Sequence, residues 1–285
     1  MSASADTAHD APLAELGPVA RLAHADWQVP AFRVLELAPR RARWCVCVPV
    51  IDEGERIRAQ LERMRPYTQE LDVVIADGGS QDGSLARAYL ETTLVRALLT
   101  KTGPGKLSAQ MRMAMAWALE QGYEGLVFVD GNNKDDPEAL PRFARELAAG
   151  ADHVQGSRYL PGGKGVNTPL SRHAGVLLVH APLVSLASRR RCTDTTNGFR
   201  AYSAKFLLDA RVQPFRDVFV AYELHYYLAI RAARLGFDVR EIPVTRVYPP
   251  RGKTPTKISP LRGNWRVLRT LFRAVFLGYD PPRAQ

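Results

Sequence analysis

Two short apolar runs in this chain each end in an acidic turn. Leu71-Asp-Val-Val-Ile-Ala76 leads into Asp77-Gly-Gly-Ser-Gln-Asp-Gly-Ser84, and Leu126-Val-Phe-Val129 leads into Asp130-Gly-Asn-Asn-Lys-Asp-Asp-Pro137. A strand that stops at an aspartate sets a carboxylate on the carboxyl edge of a parallel sheet, where open α/β sheets bind ligands. Glycines beside those carboxylates let backbone approach a flat or phosphorylated group closely. A nucleotide sugar offers both kinds of group.

The elements that must position these turns recur at short spacing. Strands are expected over 44–48, 71–76, 93–99, 126–129 and 152–159, with helices over 54–64, 84–91, 108–121 and 137–149. Asp136-Pro137 reads as an N-cap followed by proline at the first helical position. Such β-α alternation implies a parallel sheet covered on both faces. The second half is less regular: helices over 170–188 and 218–235, strands over 199–203 and 237–244, and a Pro/Gly loop over 249–256. A last helix over 261–276 carries Trp265, Leu268, Phe272 and Val275 on one face and Arg262, Arg266, Arg269 and Arg273 on the other. Residues 1–42, Ala-rich and without a clear period, are expected to form a flexible N-terminal arm.

At 285 residues the chain can bury a sizeable core, and an apolar share of 46% is ordinary for a globular protein. Its three cysteines do not make a disulfide framework, since Cys45 and Cys47 share one side of a strand and Cys192 stands alone. A reduced, cytosolic setting fits that usage. The first residues lack a basic stretch followed by an apolar one, so no secretory signal is expected. The longest apolar stretch, 174–186, is broken by His180 and Pro182 and falls short of the roughly 20 residues of a spanning helix, so no transmembrane segment is expected. Net charge is +10, and residues 246–285 hold nine Lys/Arg against Asp280 alone. A basic tail of this kind seeks anionic partners.

Taken in order, the motifs resemble an inverting family-2 glycosyltransferase with a GT-A fold, and most of all the polyprenyl- (dolichyl-) phosphate sugar synthases. The similarity runs from about Cys45 to Ser259. It implies an α/β fold with a mixed, mainly parallel sheet flanked by helices. The GT-A domain would occupy 43–245, with a basic acceptor loop and amphipathic C-terminal helix over 246–285. Val48-Pro-Val-Ile-Asp-Glu53 is similar to the opening strand-turn, so that Pro49, Ile51 and Glu53 would frame the nucleobase pocket. Asp77 would contact base or ribose, while Ser80 and Asp82 shape its turn. A bare Asx/Gly turn starting a helix is the alternative there.

Asp130-Gly-Asn-Asn-Lys134 stands in the place of the family's Asp-x-Asp-x-Gln metal motif, where Mg²⁺ or Mn²⁺ bridges the donor's two phosphates. The resemblance makes Asp130 and Asn132 the metal ligands. It also departs here, because Asn132 replaces the second acid and Lys134 a third ligand. Lys134 could itself pair with the diphosphate, and Asp135 or Asp136 could turn inward as a ligand or cap the next helix. Arg158 of Val154-Gln-Gly-Ser-Arg158 and Arg200 of Asp194-Thr-Thr-Asn-Gly-Phe-Arg200 are candidates to bind phosphate through a planar fork of donors. Either could instead be the buried partner of an acid such as Asp194. Arg251 and Lys257 resemble the acceptor loop of the lipid-phosphate branch, where two cations would clamp the acceptor phosphate.

Glu223 falls where sugar-accepting relatives keep a catalytic base. It divides two functions. A hydroxyl acceptor needs a base to take its proton; a phosphate, already an anion, does not. The first expectation is therefore transfer from a nucleoside-diphosphate sugar to a polyprenyl phosphate at the inner membrane face. The second is transfer to a saccharide or small-metabolite hydroxyl with Glu223 as base. A basic nucleic-acid-binding protein is a remote third, unsupported by any helix-turn-helix, RNP-like or zinc pattern, so no nucleic acid is expected. The protein would be cytoplasmic, its last helix either lying on the inner face of the plasma membrane or packed on the domain with its basic face exposed. His173, His180 and His225 lie on expected helices without metal spacing and read as structural.

Overall fold

The computed structural model describes residues 16–249 and 262–282. Its first half builds β1 (Phe32–Glu36), β2 (Trp44–Val50), α1 (Glu55–Met64), β3 (Leu71–Asp77), α2 (Arg87–Leu90) and β4 (Val95–Lys101). There follow α3 (Leu107–Glu120), β5 (Gly125–Phe128), α4 (Leu140–Ala148), β6 (His153–Ser157) and β7 (Lys164–Val166). A continuous helix α5 (Leu170–Ser188) contains a π-helical stretch, Val176–His180. The rest comprises β8 (Arg200–Ser203), α6 (Ala204–Leu208), α7 (Glu223–Arg234), β9 (Val239–Pro243), β10 (Thr245–Val247) and α8 (Arg262–Val275).

One eight-stranded sheet takes the order β1-β4-β3-β2-β5-β8-β6-β9, and β10 pairs with β7 in a separate parallel ribbon. Strands β4, β3, β2 and β5 are parallel neighbours; β8 runs antiparallel between β5 and β6. The mixed, mainly parallel sheet is thus the one expected. Its strands are apolar on both sides because each side meets helices. The period of two is visible in what each residue touches. Cys45, Cys47, Val74, Ala76, Leu126 and Phe128 pack toward α3 and α7, while Val46, Val48, Val73, Ile75 and Val127 pack toward α1 and α4.

Several expectations change. The expected flexible arm contributes a strand: β1 pairs antiparallel with β4, from Phe32 against Lys101 to Glu36 against Ala97. It covers what would otherwise be the open edge of the parallel sheet. The helix expected over 84–91 shrinks to α2, because the Asp82 carboxylate binds the Ser84 amide and hydroxyl and holds the preceding residues in a turn. Helix α7 starts at Glu223, not 218, because the Glu223 carboxylate accepts from the amides of Val220 and Ala221 just before it.

The two longest apolar helices of the second half also differ from expectation. By length and composition alone α5 could cross a membrane, although the sequence was expected to hold no such segment. It lies along the domain, burying Val176, Ala181, Val184 and Ala187 and exposing Leu170, Leu178 and Leu186 at 75% or more. In α8, the buried residues are Thr270, Leu271 and Ala274, with Val267, Leu268 and Val275 partly covered. Trp265 and Phe272 stay exposed beside Arg266, Arg269 and Arg273, so the expected apolar face is divided between the domain and solvent.

Candidate active site

The carboxyl ends of β2, β3 and β5 meet at one edge. Three contacts latch the β2 and β3 turns together: Ser80 Oγ accepts from the Asp52 amide at 3.0 Å, Asp52 Oδ1 from the Gln81 amide at 2.8 Å, and Asp82 Oδ2 from the Gly54 amide at 2.7 Å. Gln110 of α3 fixes the crevice floor by donating to the carbonyls of Val50 at 2.8 Å and Ala76 at 2.9 Å. Gly131 belongs there because a Cβ would come within 2.8 Å of Val50 Cγ2.

Of the expected donor residues at this edge, Ile51 is the exposed one, at 39%. Pro49 lies in the ladder opposite Ala76, and Glu53 is paired with Arg56 at 2.7 Å. Asp77 is buried, its carboxylate accepting from the Ser80 amide and hydroxyl. Burial pushes its pKa above the ordinary carboxylate value despite those donors. The Asx turn weighed from the sequence is therefore present, and its carboxylate is largely spent inside the turn.

Asp130 leads from the β5 edge into a cavity of about 510 Å³. It is lined from α5 (Arg172, Val176, His180), the start of α7 (Tyr222, His225) and α8 (Val267, Leu268), and by Arg158, Arg246 and Tyr248. Gly198 backs the carboxylate; a Cβ there would stand 2.5 Å from Asp130 Oδ1. Arg246 donates to Asp130 Oδ2 at 2.9 Å and, through its other terminal nitrogen, to Asp135. Burial alone would raise both carboxyls. At Asp130 the Arg246 guanidinium and its neighbours prevail and hold it below the ordinary range, whereas at Asp135 burial and the nearby Asp130 charge prevail and lift it. Lys134 is buried with Nζ 5.6 Å from the Tyr248 ring, and burial with the adjacent Arg246 lowers its pKa.

Guanidinium groups converge on Tyr248. Its hydroxyl accepts from Arg158 and from Arg172, each at 3.3 Å, and the Arg246 guanidinium lies 5.8 Å from the ring centre. Burial works to raise this phenol, but Arg246, Arg158 and Arg172 together bring it below its ordinary value.

The two arginines expected to bind phosphate are both committed elsewhere. Arg158 grips Asp194 with two donors at 2.7 and 2.9 Å, the alternative the sequence also offered, while lining the cavity. Arg200 is fully buried and donates to the carbonyls of Asn197, Thr195 and His225, so its fork fastens loops in place of a ligand. Glu223 is turned into the 220–221 amides and does not line the cavity. Asp136 caps the turn at 137–139, as the sequence suggested. Arg251 and Lys257 lie outside the described residues.

Asp130 and Asn132 offer oxygens for a hard divalent ion, and Asn132 Oδ1 is buried with no hydrogen-bond partner. That orphaned oxygen fits a ligand role. Among the described residues, however, no three His, Cys, Asp or Glu side chains gather around a common point, so Asp130 and Asn132 would fill two of the roughly six positions such an ion takes. Sequence reasoning missed Arg172, Arg246 and Tyr248. Arg246 had been counted only as tail charge, and its one local signal was an arginine two residues before Tyr248 just after a strand.

Comparison with known proteins agrees with this geometry. The glycosyl transferase family 2 model matches residues 45–210. Undecaprenyl-phosphate mannosyltransferase of Micrococcus luteus is 35% identical over 207 residues, covering 70% of this chain and 82% of the relative. Polyprenol monophosphomannose synthase of Mycolicibacterium smegmatis is 30% identical over 211 residues, 71% and 77% of the two chains. In fold, the chain is similar to glucosyl-3-phosphoglycerate synthase of Mycobacterium tuberculosis, solved with Mn²⁺, uridine diphosphate and glucosyl-3-phosphoglycerate. The TM-score is 0.60 at 17% identity, with 84% and 81% of the chains covered. With its parallel edge, its acidic turns and the match over 45–210, this chain belongs to glycosyl transferase family 2 and is a glycosyltransferase of the GT-A fold.

Proposed function

We propose that this chain transfers a sugar from a nucleoside-diphosphate sugar to a polyprenyl phosphate, with inversion, at a membrane surface. The observation that carries the acceptor class is the cavity's charge. Arg172 lines it with no acid paired to it among the described residues, while the carboxylate of its described lining, Asp130, is bound to Arg246, and Glu223 is bound to backbone. Such a site suits a nucleophile that arrives as an anion and needs no base. The two mannosyltransferase relatives, whose names specify polyprenyl-type acceptors, support the same choice.

In this reading the crevice around Pro49, Ile51, Glu53 and Asp77 holds the nucleoside, and Asp130, Asn132 and Lys134 face its diphosphate. Asp130 and Asn132 would hold the divalent ion, which supplies neutralising charge to the departing diphosphate when bound. Arg172, aided by Arg251 and Lys257, orients the acceptor phosphate. An acceptor oxygen attacks the anomeric carbon opposite the diphosphate; the new C–O bond forms as the bond to the diphosphate breaks, and no proton moves. The lipid tail leaves past α5 and α8, where Leu170, Leu178, Leu186, Trp265, Phe272 and Phe276 are exposed. Arg266, Arg269 and Arg273 then meet anionic headgroups, placing the protein peripherally on the cytoplasmic face.

The test is to incubate the purified chain with GDP-, UDP- and CDP-sugars, mannose donors first, and undecaprenyl phosphate in detergent. Mass spectrometry should find a sugar-phosphoryl-polyprenol, and Glu223→Gln should keep its rate within about threefold, since amide-bound Glu223 is not the base. Transfer to soluble hydroxyl acceptors but not to the lipid, abolished in Glu223→Gln, would reverse the assignment.

A further inference from the structure

The turn after β5 already contains a cation. Arg246 extends from β10, whose backbone is stitched to the turn on both sides. The Val247 amide donates to the Lys134 carbonyl at 2.8 Å, the Asp136 amide to the Thr245 carbonyl at 3.0 Å, and Asp135 and Arg246 form an isolated antiparallel bridge. The guanidinium so held, 7% exposed, joins Asp130 to Asp135. Two acids, Asp130 and Asp135, are thereby matched by two cations, Arg246 and Lys134, before any metal enters. Yet Asn132 Oδ1 and Asp135 Oδ1 are both buried without hydrogen-bond partners, so the oxygen set is not saturated.

We infer that Arg246 is a resident counter-ion of this turn: the free protein takes up no divalent ion here, and an ion joins only together with the nucleoside diphosphate. The diphosphate brings the oxygens the protein lacks and the negative charge that offsets Arg246 and Lys134. Removing the guanidinium converts Asp130, Asn132 and Asp135 into a site for the bare ion. The second half, joint uptake with nucleotide, rests on the donor reading above; the first half does not.

The experiment is Mn²⁺ titration of the full chain, followed by the electron paramagnetic resonance signal of the aqueous ion. With metal alone, the native protein should leave the signal unchanged to millimolar concentration. Added GDP or UDP should then reduce it beyond a protein-free nucleotide control. Arg246→Met, checked for folding by circular dichroism, should bind Mn²⁺ without nucleotide at least about tenfold more tightly than the native chain.

Sub-millimolar Mn²⁺ binding by the native chain alone would overturn the inference, as would a folded Arg246→Met with less than about a threefold gain. Should Arg246→Met fail to fold, Asn132→Asp with Arg246 intact decides. It is expected to stay within about threefold of native, and a gain of about tenfold would show that the missing carboxylate, not the guanidinium, kept the ion out. A thermal-shift titration showing no binding of any nucleoside diphosphate, with or without metal, would remove the donor reading and the joint-uptake half. The metal-alone titrations would still decide the role of Arg246.

Discussion

Arg158 and Arg172 reach the same phenol oxygen at the same distance, yet their surroundings assign them different work. Arg158 is locked by two donors to Asp194, a carboxylate buried with it, so its charge is neutralised within the fold. Arg172 is half-buried, and among the described residues its side-chain polar contact is the hydroxyl of Tyr248. An arginine that lines a cavity with its charge unmatched nearby is positioned for an anion brought from outside. Arg172→Leu should therefore raise KM for polyprenyl phosphate by about tenfold or more, the worth of a hydrogen bond to a charged group. KM for the nucleotide sugar and the melting temperature should change little. A matching loss in donor affinity, or a marked fall in melting temperature, would instead make Arg172 a structural partner of Tyr248.

The elements with a strong period were legible before any coordinates: β2, β3, β5, α1, α3 and α4 fall within a few residues of where apolar alternation and the Asp136-Pro137 cap put them. Both acidic turns, and Asp130 at the cavity, were legible for the same reason, since a strand end followed by Asp-Gly is a local signal. What escaped depends on distant partners. β1 is five residues long and forms against β4, 61 to 69 residues away. β10 is three residues long, and Arg246 gains its meaning only when that strand meets the 134–136 turn. Helix α5 was recognised, but its orientation was not, because an apolar helix with no clear polar face does not announce which side the domain will cover.

The structure leaves outward Leu178 and Leu186, 76% and 75% exposed. Replacing both with serine should lower affinity for anionic vesicles by about tenfold, a fraction of the value of burying two leucines in lipid. Thermal stability should be unchanged. Co-sedimentation with vesicles measures the first, and equal binding of native and variant would remove α5 from the membrane contact.

On the scale of the whole molecule, two histidines, one in the sheet and one on a helix covering it, are kept from taking up a proton by burial, with neighbouring guanidinium charge adding to it. His153 is buried and His225 partly buried, and each is held down to about 3. Burial is the main cause for both, and Arg200, whose guanidinium lies between their elements, adds to it. Arg190 also opposes the proton at His153, while the Asp130 carboxylate partly favours it at His225. His153 Nδ1 donates to the Ala201 carbonyl at 3.3 Å and its ring stacks on Tyr202, so the neutral form is the one built into the sheet.

The sign follows from which state binds the proton. The unfolded chain takes up one proton per histidine near pH 6.5, and the folded chain takes none until far lower pH. These two groups therefore leave stability untouched above about pH 6.5 and withdraw it as pH falls below that value. Each withdraws up to about 1.4 kcal/mol per pH unit, until the folded form protonates near 3. Urea unfolding at pH 7 and at pH 5 should show a clear loss. His153→Gln keeps a donor for Ala201 but cannot take up the proton, so it should remove about one proton from the slope between them. An unchanged slope in a folded His153→Gln would mean that His153 is protonated in the native state, and that the sheet tolerates a charge where its packing argues against one.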